Sequence, residues 1–212
     1  MRKRVPEILD ALPHDDPAAR ASRRDLGRIN SLMGNYRFMA REIRRSVPAG
    51  SRVVELGAGD GPLSGHQHAL KGCQVCGIDL APRPKVWPLD WEWRQEDVMT
   101  SAAVESADCI LVSLFLHHLS TEDLARLGER LTRNARLLIL TEPARYGVFH
   151  LPAWGMELTG IHPVTRHDMH VSIDAGFRPG ELGELLGLDS AWQCHESVDW
   201  RGALRMVACR HD

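Results

Sequence analysis

Short apolar runs alternate with amphipathic segments along most of the chain. The runs predict strands over 52–56, 74–79, 93–95, 108–115 and 136–141, with a closing hairpin over 191–197 and 203–209. The run over 108–115 is almost continuously apolar, which is typical of a central parallel strand buried on both faces. Helical patterns over 62–71, 120–131 and 181–188 separate the strands. This alternation predicts an α/β fold: a doubly wound, mostly parallel sheet of seven strands, helices on both faces and a C-terminal antiparallel hairpin.

The first fifty residues follow a helical pattern of their own. Asp16-Pro17 is typical of a helix start, and helices are predicted over 18–32 and 36–47 with a break at Gly34-Asn35. This segment holds 11 Arg/Lys and 6 Asp/Glu, whereas the whole chain has a net charge of −2. A balance so close to neutral argues against general nucleic-acid binding. No P-loop motif is present, so P-loop phosphoryl chemistry is excluded.

The sequence also predicts the compartment. Acidic residues such as Glu7 and Asp10 interrupt any signal-peptide core, and the longest apolar run, 109–116, is too short to span a bilayer. The five cysteines lie mostly in apolar segments, where a free thiol acts as a small hydrophobe. Cys73 and Cys76 would point to opposite faces of a strand and chelate poorly. We therefore expect a reduced, cytoplasmic protein that binds no metal and no membrane.

A glycine loop follows the first predicted strand, where ligands bind in doubly wound sheets. Gly57 and Gly59 allow a sharp turn and a close approach of a ligand. The dinucleotide motif G-x-G-x-x-G is not completed, because Pro62 takes its last position. Asp60 is also electrostatically wrong for a pyrophosphate. Asp79, 22 residues after Gly57, ends the second strand and can accept hydrogen bonds from ribose hydroxyls. The pattern indicates a nucleoside ligand without phosphate.

Two further acidic residues are consistent with a nucleoside ligand. Glu55, on the first strand beside the loop, suits a cationic or amino-bearing ligand. Asp97, after the third strand, can accept a hydrogen bond from an adenine amino group, and Val98 offers a backbone N–H.

These segments resemble the successive motifs of class I S-adenosylmethionine-dependent methyltransferases. The motifs are 54–61, 79–80, 96–98 and 108–119, and the resemblance covers roughly residues 50–143. It implies a Rossmann-like fold, S-adenosylmethionine as the cofactor and a family-typical reversed last strand. The cofactor-binding residues that it implies are Glu55, Gly57, Ala58, Gly59, Asp79, Leu80, Asp97, Val98 and Ser113.

The segments outside these motifs also have predicted roles. Residues 1–50 are interpreted as a helical lid, and Arg37 in that lid can pair with the cofactor carboxylate. Residues 51–212 are interpreted as the methyltransferase domain, with 144–178 as an insertion that forms the acceptor pocket. The candidate acceptor-binding residues are Tyr36, Trp154, His162, Arg166 and His167.

Methyl transfer needs a base only when the acceptor must lose a proton. His117 and His118 follow the fourth strand at the acceptor edge and are the candidate catalytic residues. The segment 113–116 lacks the [N/D]-P-P-[Y/F] element of methyltransferases that modify amino groups of DNA bases. We therefore expect a small-molecule acceptor, methylated at oxygen, with nitrogen and carbon left open. A nicotinamide-dependent oxidoreductase and a non-catalytic S-adenosylmethionine-binding protein remain as alternatives.

Overall fold

The computed structural model describes residues 2–13, 15–157 and 160–211. Its strands are β1 (Arg52–Leu56), β2 (Gln74–Asp79), β3 (Glu92–Gln95), β4 (Cys109–Ser113), β5 (Leu137–Pro143), β6 (Trp192–Val198) and β7 (Ala203–Arg210). They form one sheet in the order β3-β2-β1-β4-β5-β7-β6. Strands β1 to β5 are parallel, and β7 pairs antiparallel with both β5 and β6. The predicted fold class is confirmed.

The α-helices are α1 (Ile8–Ala11), α2 (Pro17–Met33), α3 (Asn35–Ser46), α4 (Thr121–Asn134), α5 (His150–Glu157), α6 (Pro163–Ala175) and α7 (Glu181–Leu185). Helix α2 begins as predicted, with the Asp16 carboxylate accepting a hydrogen bond from Ala18 N at 2.7 Å. Shorter 3₁₀ segments cover Pro62–Ala69, Ala102–Ser106, Leu116–His118 and Gly147–Phe149. No helix in the described ranges is long and apolar enough to cross a membrane.

The segment after the glycine loop differs from the helix predicted over 62–71. It is a 3₁₀ segment over Pro62–Ala69, and its backbone leaves helical geometry at His66. Two glycines accompany this irregularity, Gly61 at φ +70° and Gly65 within the segment. Glycine lowers helix propensity, so a short segment with this composition does not hold a regular α-helix.

Both faces of the sheet are covered by helices. On one face, the α3 residues Phe38, Met39 and Ile43 pack in a cluster with Val53 of β1. On the other face, α4 and α7 pack against Val54 and its neighbours in a second cluster. Because adjacent residues of β1 belong to opposite clusters, the strand is buried on both sides. Helix α3 thus contributes to the core of the sheet; that residues 1–50 act as a lid stays a prediction.

Polar contacts tie the amino-terminal residues to the 144–178 segment. Residues 2–13, which we call the N-terminal strap, lie against α6: the Asp168 carboxylate accepts hydrogen bonds from Ile8 N and Leu9 N at 2.9 and 3.0 Å. Helix α2 is joined to α6 through Thr165 Oγ1, which donates to Ser22 Oγ at 3.0 Å. These contacts hold the N-terminal strap and helix α2 against helix α6 of the 144–178 segment.

Candidate functional site

The glycine loop lies at the carboxyl end of β1, with backbone geometry that favours glycine. Gly57 and Gly59 have φ of +63° and +52°. A Cβ atom at Gly57 would lie 2.5 Å from the ring of Phe115, so no other residue fits without displacing that ring. Ala58, between the glycines, is buried and donates its N–H to Ile78 O at 3.1 Å. The loop is therefore closely packed against the end of β2 and the segment after β4.

Asp79 fixes the loop from the neighbouring strand. Its Oδ2 accepts a hydrogen bond from Gly59 N at 2.8 Å, and its Oδ1 accepts one from Ala81 N at 2.8 Å. A carboxylate oxygen can accept more than one hydrogen bond. Asp79 is thus held in place by the backbone while it keeps acceptor capacity for the hydroxyls of a ligand.

Glu55 is a buried carboxyl group at the base of this site. Only 2% of the residue is exposed, and its Oε2 has no hydrogen-bond partner among the described residues. Burial raises the pKa of Glu55 to about 8, and the nearby charge of Asp79 acts in the same direction. An unpaired buried oxygen is costly, so this carboxyl group is suited to a cationic ligand.

Tyr36 of α3 reaches the same place from the other side. Its hydroxyl is hydrogen-bonded to Ser113, whose Oγ accepts a hydrogen bond from Thr141 Oγ1 at 3.1 Å. Burial raises the pKa of Tyr36, and the charge of Glu55 raises it further. The structure therefore brings together Tyr36, a predicted acceptor-binding residue, with Ser113 and Glu55, which are predicted cofactor-binding residues. Arg37, the next residue, is exposed, and its pairing with a cofactor carboxylate stays a prediction.

The remaining cofactor candidates follow β2 and β3. Leu80 is 73% exposed, whereas Val98 is buried. Asp97 is exposed, and its Oδ1 accepts a hydrogen bond from Met99 N at 2.8 Å, so it orders its own turn. These residues lie at the carboxyl edge on the β2–β3 side, as their order along the chain predicted.

His117 lies between two carboxylates. Its Nδ1 is 2.7 Å from Glu142 Oε2, and its Nε2 is 3.4 Å from Glu7 Oε1. Burial lowers the pKa of His117, but Glu142 and Glu7 outweigh that effect and raise it to about 9. A histidine that holds its proton at neutral pH is a poor base, so the geometry argues against the predicted general-base role.

His118 is more open. Its Nδ1 lies 3.2 Å from Asp10 Oδ2, and its side chain is 27% exposed. The two histidine rings are 4.2 Å apart, measured between their centroids. Glu7 and Asp10 both belong to the N-terminal strap, and no sequence pattern marks them as site residues. Glu142 could have been identified from the sequence as a candidate site residue, because it lies near the carboxyl end of a buried parallel strand, as Asp79 does.

The predicted acceptor residues on the 144–178 segment have local contacts. His162 caps α6, with its Nδ1 accepting a hydrogen bond from Val164 N at 3.3 Å. His167 is exposed, with its Nδ1 2.9 Å from Asp168 Oδ1. Trp154 is 55% exposed and packs beside the ring of His170, and Arg166 is partly exposed. The role of these side chains in binding an acceptor stays a prediction.

No protein-family model and no curated protein matches the sequence. Solved structures do match. The plantazolicin methyltransferase BpumL in complex with SAH has a TM-score of 0.69 at 10% identity, over 93% of this chain and 92% of that one. The N-methyltransferase NodS from Bradyrhizobium japonicum WM9 has a TM-score of 0.56 at 14% identity, over 93% of this chain and 90% of that one. A putative O-methyltransferase from Nostoc punctiforme PCC 73102 has a TM-score of 0.61 at 14% identity, over 84% of this chain and 56% of that one.

These likenesses confirm the resemblance at the level of the fold. The chain has the fold of class I S-adenosylmethionine-dependent methyltransferases, with the reversed strand β7 inserted between β5 and β6.

Proposed function

We propose that this protein is an S-adenosylmethionine-dependent methyltransferase that acts on a small-molecule acceptor and transfers the methyl group to oxygen. The observation that carries the proposal is the Glu55 carboxyl group, buried with an unpartnered Oε2 beside the glycine loop. The α-ammonium group of S-adenosylmethionine is a cation that would pair with this oxygen and offset the cost of burying it. The fold supports the same cofactor, because BpumL and NodS bind S-adenosylhomocysteine.

The other residues would hold the cofactor along the carboxyl edge. We assign the methionine end to Glu55 and the loop residues Gly57, Ala58 and Gly59, and the ribose to Asp79. The adenine side is assigned to Leu80, Asp97 and Val98, with Ser113 as a lining residue. Asp79 supports this assignment best, because its backbone hydrogen bonds fix its orientation before a ligand arrives.

S-Adenosylmethionine supplies an electrophilic methyl group on a sulfonium, which is a good leaving group. The chain itself positions the cofactor for methyl transfer. In this proposal the loop and Asp79 hold the cofactor, and Tyr36 covers the site next to Glu55. With cofactor and acceptor bound, this cover would help to exclude water from the reacting centre and so strengthen the electrostatic interactions inside it.

Transfer to oxygen is the finer part of the proposal. The missing [N/D]-P-P-[Y/F] element argues against amino groups of DNA bases, and the similar Nostoc protein is a putative O-methyltransferase. NodS, an N-methyltransferase with the same fold, shows that this fold also supports methyl transfer to nitrogen. A phenolic hydroxyl with a low pKa would need little help from a base.

The nicotinamide alternative meets two obstacles. Pro62 interrupts the dinucleotide motif, and a 3₁₀ segment follows the loop instead of the α-helix whose N-terminus would hold a pyrophosphate. Only a measurement of activity distinguishes a methyltransferase from a protein that binds S-adenosylmethionine without catalysis.

Calorimetric titration tests the cofactor. We expect S-adenosylmethionine and S-adenosylhomocysteine to bind, and NADH not to bind. Asp79→Ala should weaken S-adenosylmethionine binding by at least tenfold. Asp79→Asn should also weaken binding, and because it keeps the side-chain volume it controls for collapse of the loop. Asp90→Ala, which removes an exposed carboxylate between β2 and β3, is the matched control. Unchanged affinity in both Asp79 variants, or preferential binding of NADH, contradicts the proposal.

A screen with a methyl-labelled cofactor tests the reaction. Phenols, alcohols and amines are offered separately, and labelled product is counted together with S-adenosylhomocysteine. Label found only in hydroxyl acceptors supports transfer to oxygen, and label in amines moves the assignment to nitrogen. Cofactor binding without transfer to any acceptor favours the non-catalytic alternative.

A further inference from the structure

The N-terminal strap places two carboxylates opposite the paired histidines that follow β4. The ligand atoms of Glu7, His117 and His118 lie within 4.8 Å of one another. The closest pairs are His117 Nε2 with Glu7 Oε1 at 3.4 Å and His118 Nδ1 with Asp10 Oδ2 at 3.2 Å. Three groups capable of binding a metal thus converge from two segments more than a hundred residues apart, and Asp10 lies beside them in contact with His118.

Glu142 orients the deepest of these groups. Its Oε2 lies 2.7 Å from His117 Nδ1, which leaves Nε2 directed at Glu7. Glu142 is itself fixed, because its Oε1 accepts hydrogen bonds from Phe115 N and Leu116 N at 2.9 and 2.7 Å. Metal-binding histidines generally have their second ring nitrogen held by a carboxylate in this way. The same arrangement orients His117 as a ligand, and His117 would release its proton to solvent when the ion binds, because only a neutral imidazole binds a metal.

We propose that Glu7, His117 and His118, with Asp10 as a fourth ligand, bind a divalent transition-metal ion of the zinc type. With Zn–N and Zn–O bonds of ~2.0–2.1 Å, ligand atoms at the corners of a tetrahedron are about 3.3 Å apart. The 3.4 Å separation of Glu7 and His117 is close to that value, and the separations of these two residues from His118 are at most 4.8 Å. The side chains of His118 and Asp10 are at least partly exposed and can close the remaining distances by rotation.

The donor set selects the class of ion. Two imidazole nitrogens and two carboxylate oxygens suit zinc and its first-row neighbours, whereas magnesium and calcium prefer oxygen donors alone. The group contains no cysteine, so binding does not depend on the redox state of a thiol. This inference does not rest on the proposed methyl transfer.

The ion would fasten the strap across the carboxyl edge of the sheet. The strap already makes weaker contacts there, since Arg2 Nη2 donates to His117 O at 3.1 Å and Arg4 Nη1 donates to His118 O at 3.0 Å. A metal ion bound to both segments would join them far more strongly, and bound metal stabilises the folded state by mass action.

The experiment uses the full chain without an affinity tag and freed of metal by a chelator. Zn²⁺ is titrated calorimetrically, and Co²⁺ is added as an optical probe. We expect one equivalent of either ion to bind, with Co²⁺ d–d absorption, no thiolate-to-cobalt charge-transfer band, and a thermal midpoint raised by Zn²⁺. Asp10→Ala and His118→Ala alter partly exposed residues, so they test the site without endangering the fold; each should weaken Zn²⁺ binding at least tenfold.

Two further variants locate the ion. Glu142→Gln should weaken Zn²⁺ binding by roughly 10–100-fold, the usual effect of removing the group that orients a ligand. His195→Ala removes an exposed histidine of β6 and should leave binding unchanged. The proposal is overturned if Zn²⁺ does not bind. It is equally overturned if Asp10→Ala and His118→Ala bind as tightly as the unaltered protein, or if His195→Ala abolishes binding; the histidine–carboxylate contacts are then proton-sharing pairs alone.

Discussion

Asp79 Oδ2 lies 2.8 Å from Gly59 N, so the acid at the end of β2 holds the loop that follows β1. The same carboxylate raises the pKa of Glu55, which lies at the base of the loop. Glu55 therefore keeps its proton in the free protein at neutral pH. A cationic ligand beside Glu55 would favour the ionised form of its carboxyl group.

Binding of S-adenosylmethionine should release a proton from Glu55. The pKa of Glu55 is raised to about 8 in the free protein, and an ammonium group beside it would favour the ionised form. At pH 7 we expect about one proton to be released per cofactor bound. Calorimetry in buffers of different ionisation enthalpy measures this number.

Two variants check the source of that proton. Glu55→Gln should release none and should bind the cofactor more weakly, while Glu129→Gln, which alters an exposed residue of α4, should match the unaltered protein. An unchanged proton count in Glu55→Gln would show that another group titrates.

Glu55 should also make the stability of the free protein depend on pH. Its pKa rises from 4.5 to about 8 on folding, so between these values the folded state holds a proton that the unfolded state has lost. The free energy of unfolding should therefore fall as the pH rises through this window. Urea unfolding of the unaltered protein and of Glu55→Gln at pH 5.5 and 8.5 measures the effect. The difference between the two proteins should shift in favour of the glutamine variant at pH 8.5, and a difference independent of pH would contradict the prediction.

The arrangement of the candidate cofactor site could largely be predicted from the sequence, because it depends on local patterns. Strand periodicity placed β1 and β2, and the carboxyl ends of parallel strands meet at one edge, so Gly57 and Asp79 had to be neighbours. The pairing of Glu7 with His117 could not be predicted in this way. The two residues are 110 positions apart, and no periodicity links a polar residue of the strap to a histidine after β4. Tyr36 was predicted as an acceptor-binding residue, but its hydrogen bond to Ser113 could not be predicted, because it depends on how α3 packs on the sheet.

Gly57→Ala should both destabilise the protein and weaken cofactor binding. A left-handed backbone costs a non-glycine residue about 1–2 kcal/mol. The new Cβ would also lie 2.5 Å from the Phe115 ring, and such overpacking costs a further ~1–3 kcal/mol. Gly50→Ala is the matched control, because φ is +88° there and nothing lies within 4 Å of an added Cβ. Urea unfolding should show a larger loss for Gly57→Ala, and equal losses would mean that the contact with Phe115 is unimportant.

Alanine substitutions at two helical glycines should change the stability of the protein in opposite directions. Gly27 in α2 is exposed, with nothing within 4 Å of an added Cβ, so Gly27→Ala should stabilise the protein by ~0.5–1 kcal/mol through helix propensity. Gly128 in α4 faces the backbone of Leu186, whose carbonyl carbon would lie 2.6 Å from the new Cβ. Backbone atoms cannot rotate away as a side chain can, so Gly128→Ala must separate α4 from the end of α7.

The second substitution should therefore destabilise the protein by about 1–3 kcal/mol, although alanine is the better helix former. Urea unfolding of both variants measures the pair, with circular dichroism to confirm that α4 and α2 keep their helical content. Stabilisation by both alanines would mean that α4 and α7 are less closely packed in solution than the contact of Gly128 with Leu186 requires. Helix propensity favours alanine at both positions, and the contact with Leu186 opposes it at Gly128. The sign of the Gly128→Ala effect therefore tests that contact directly.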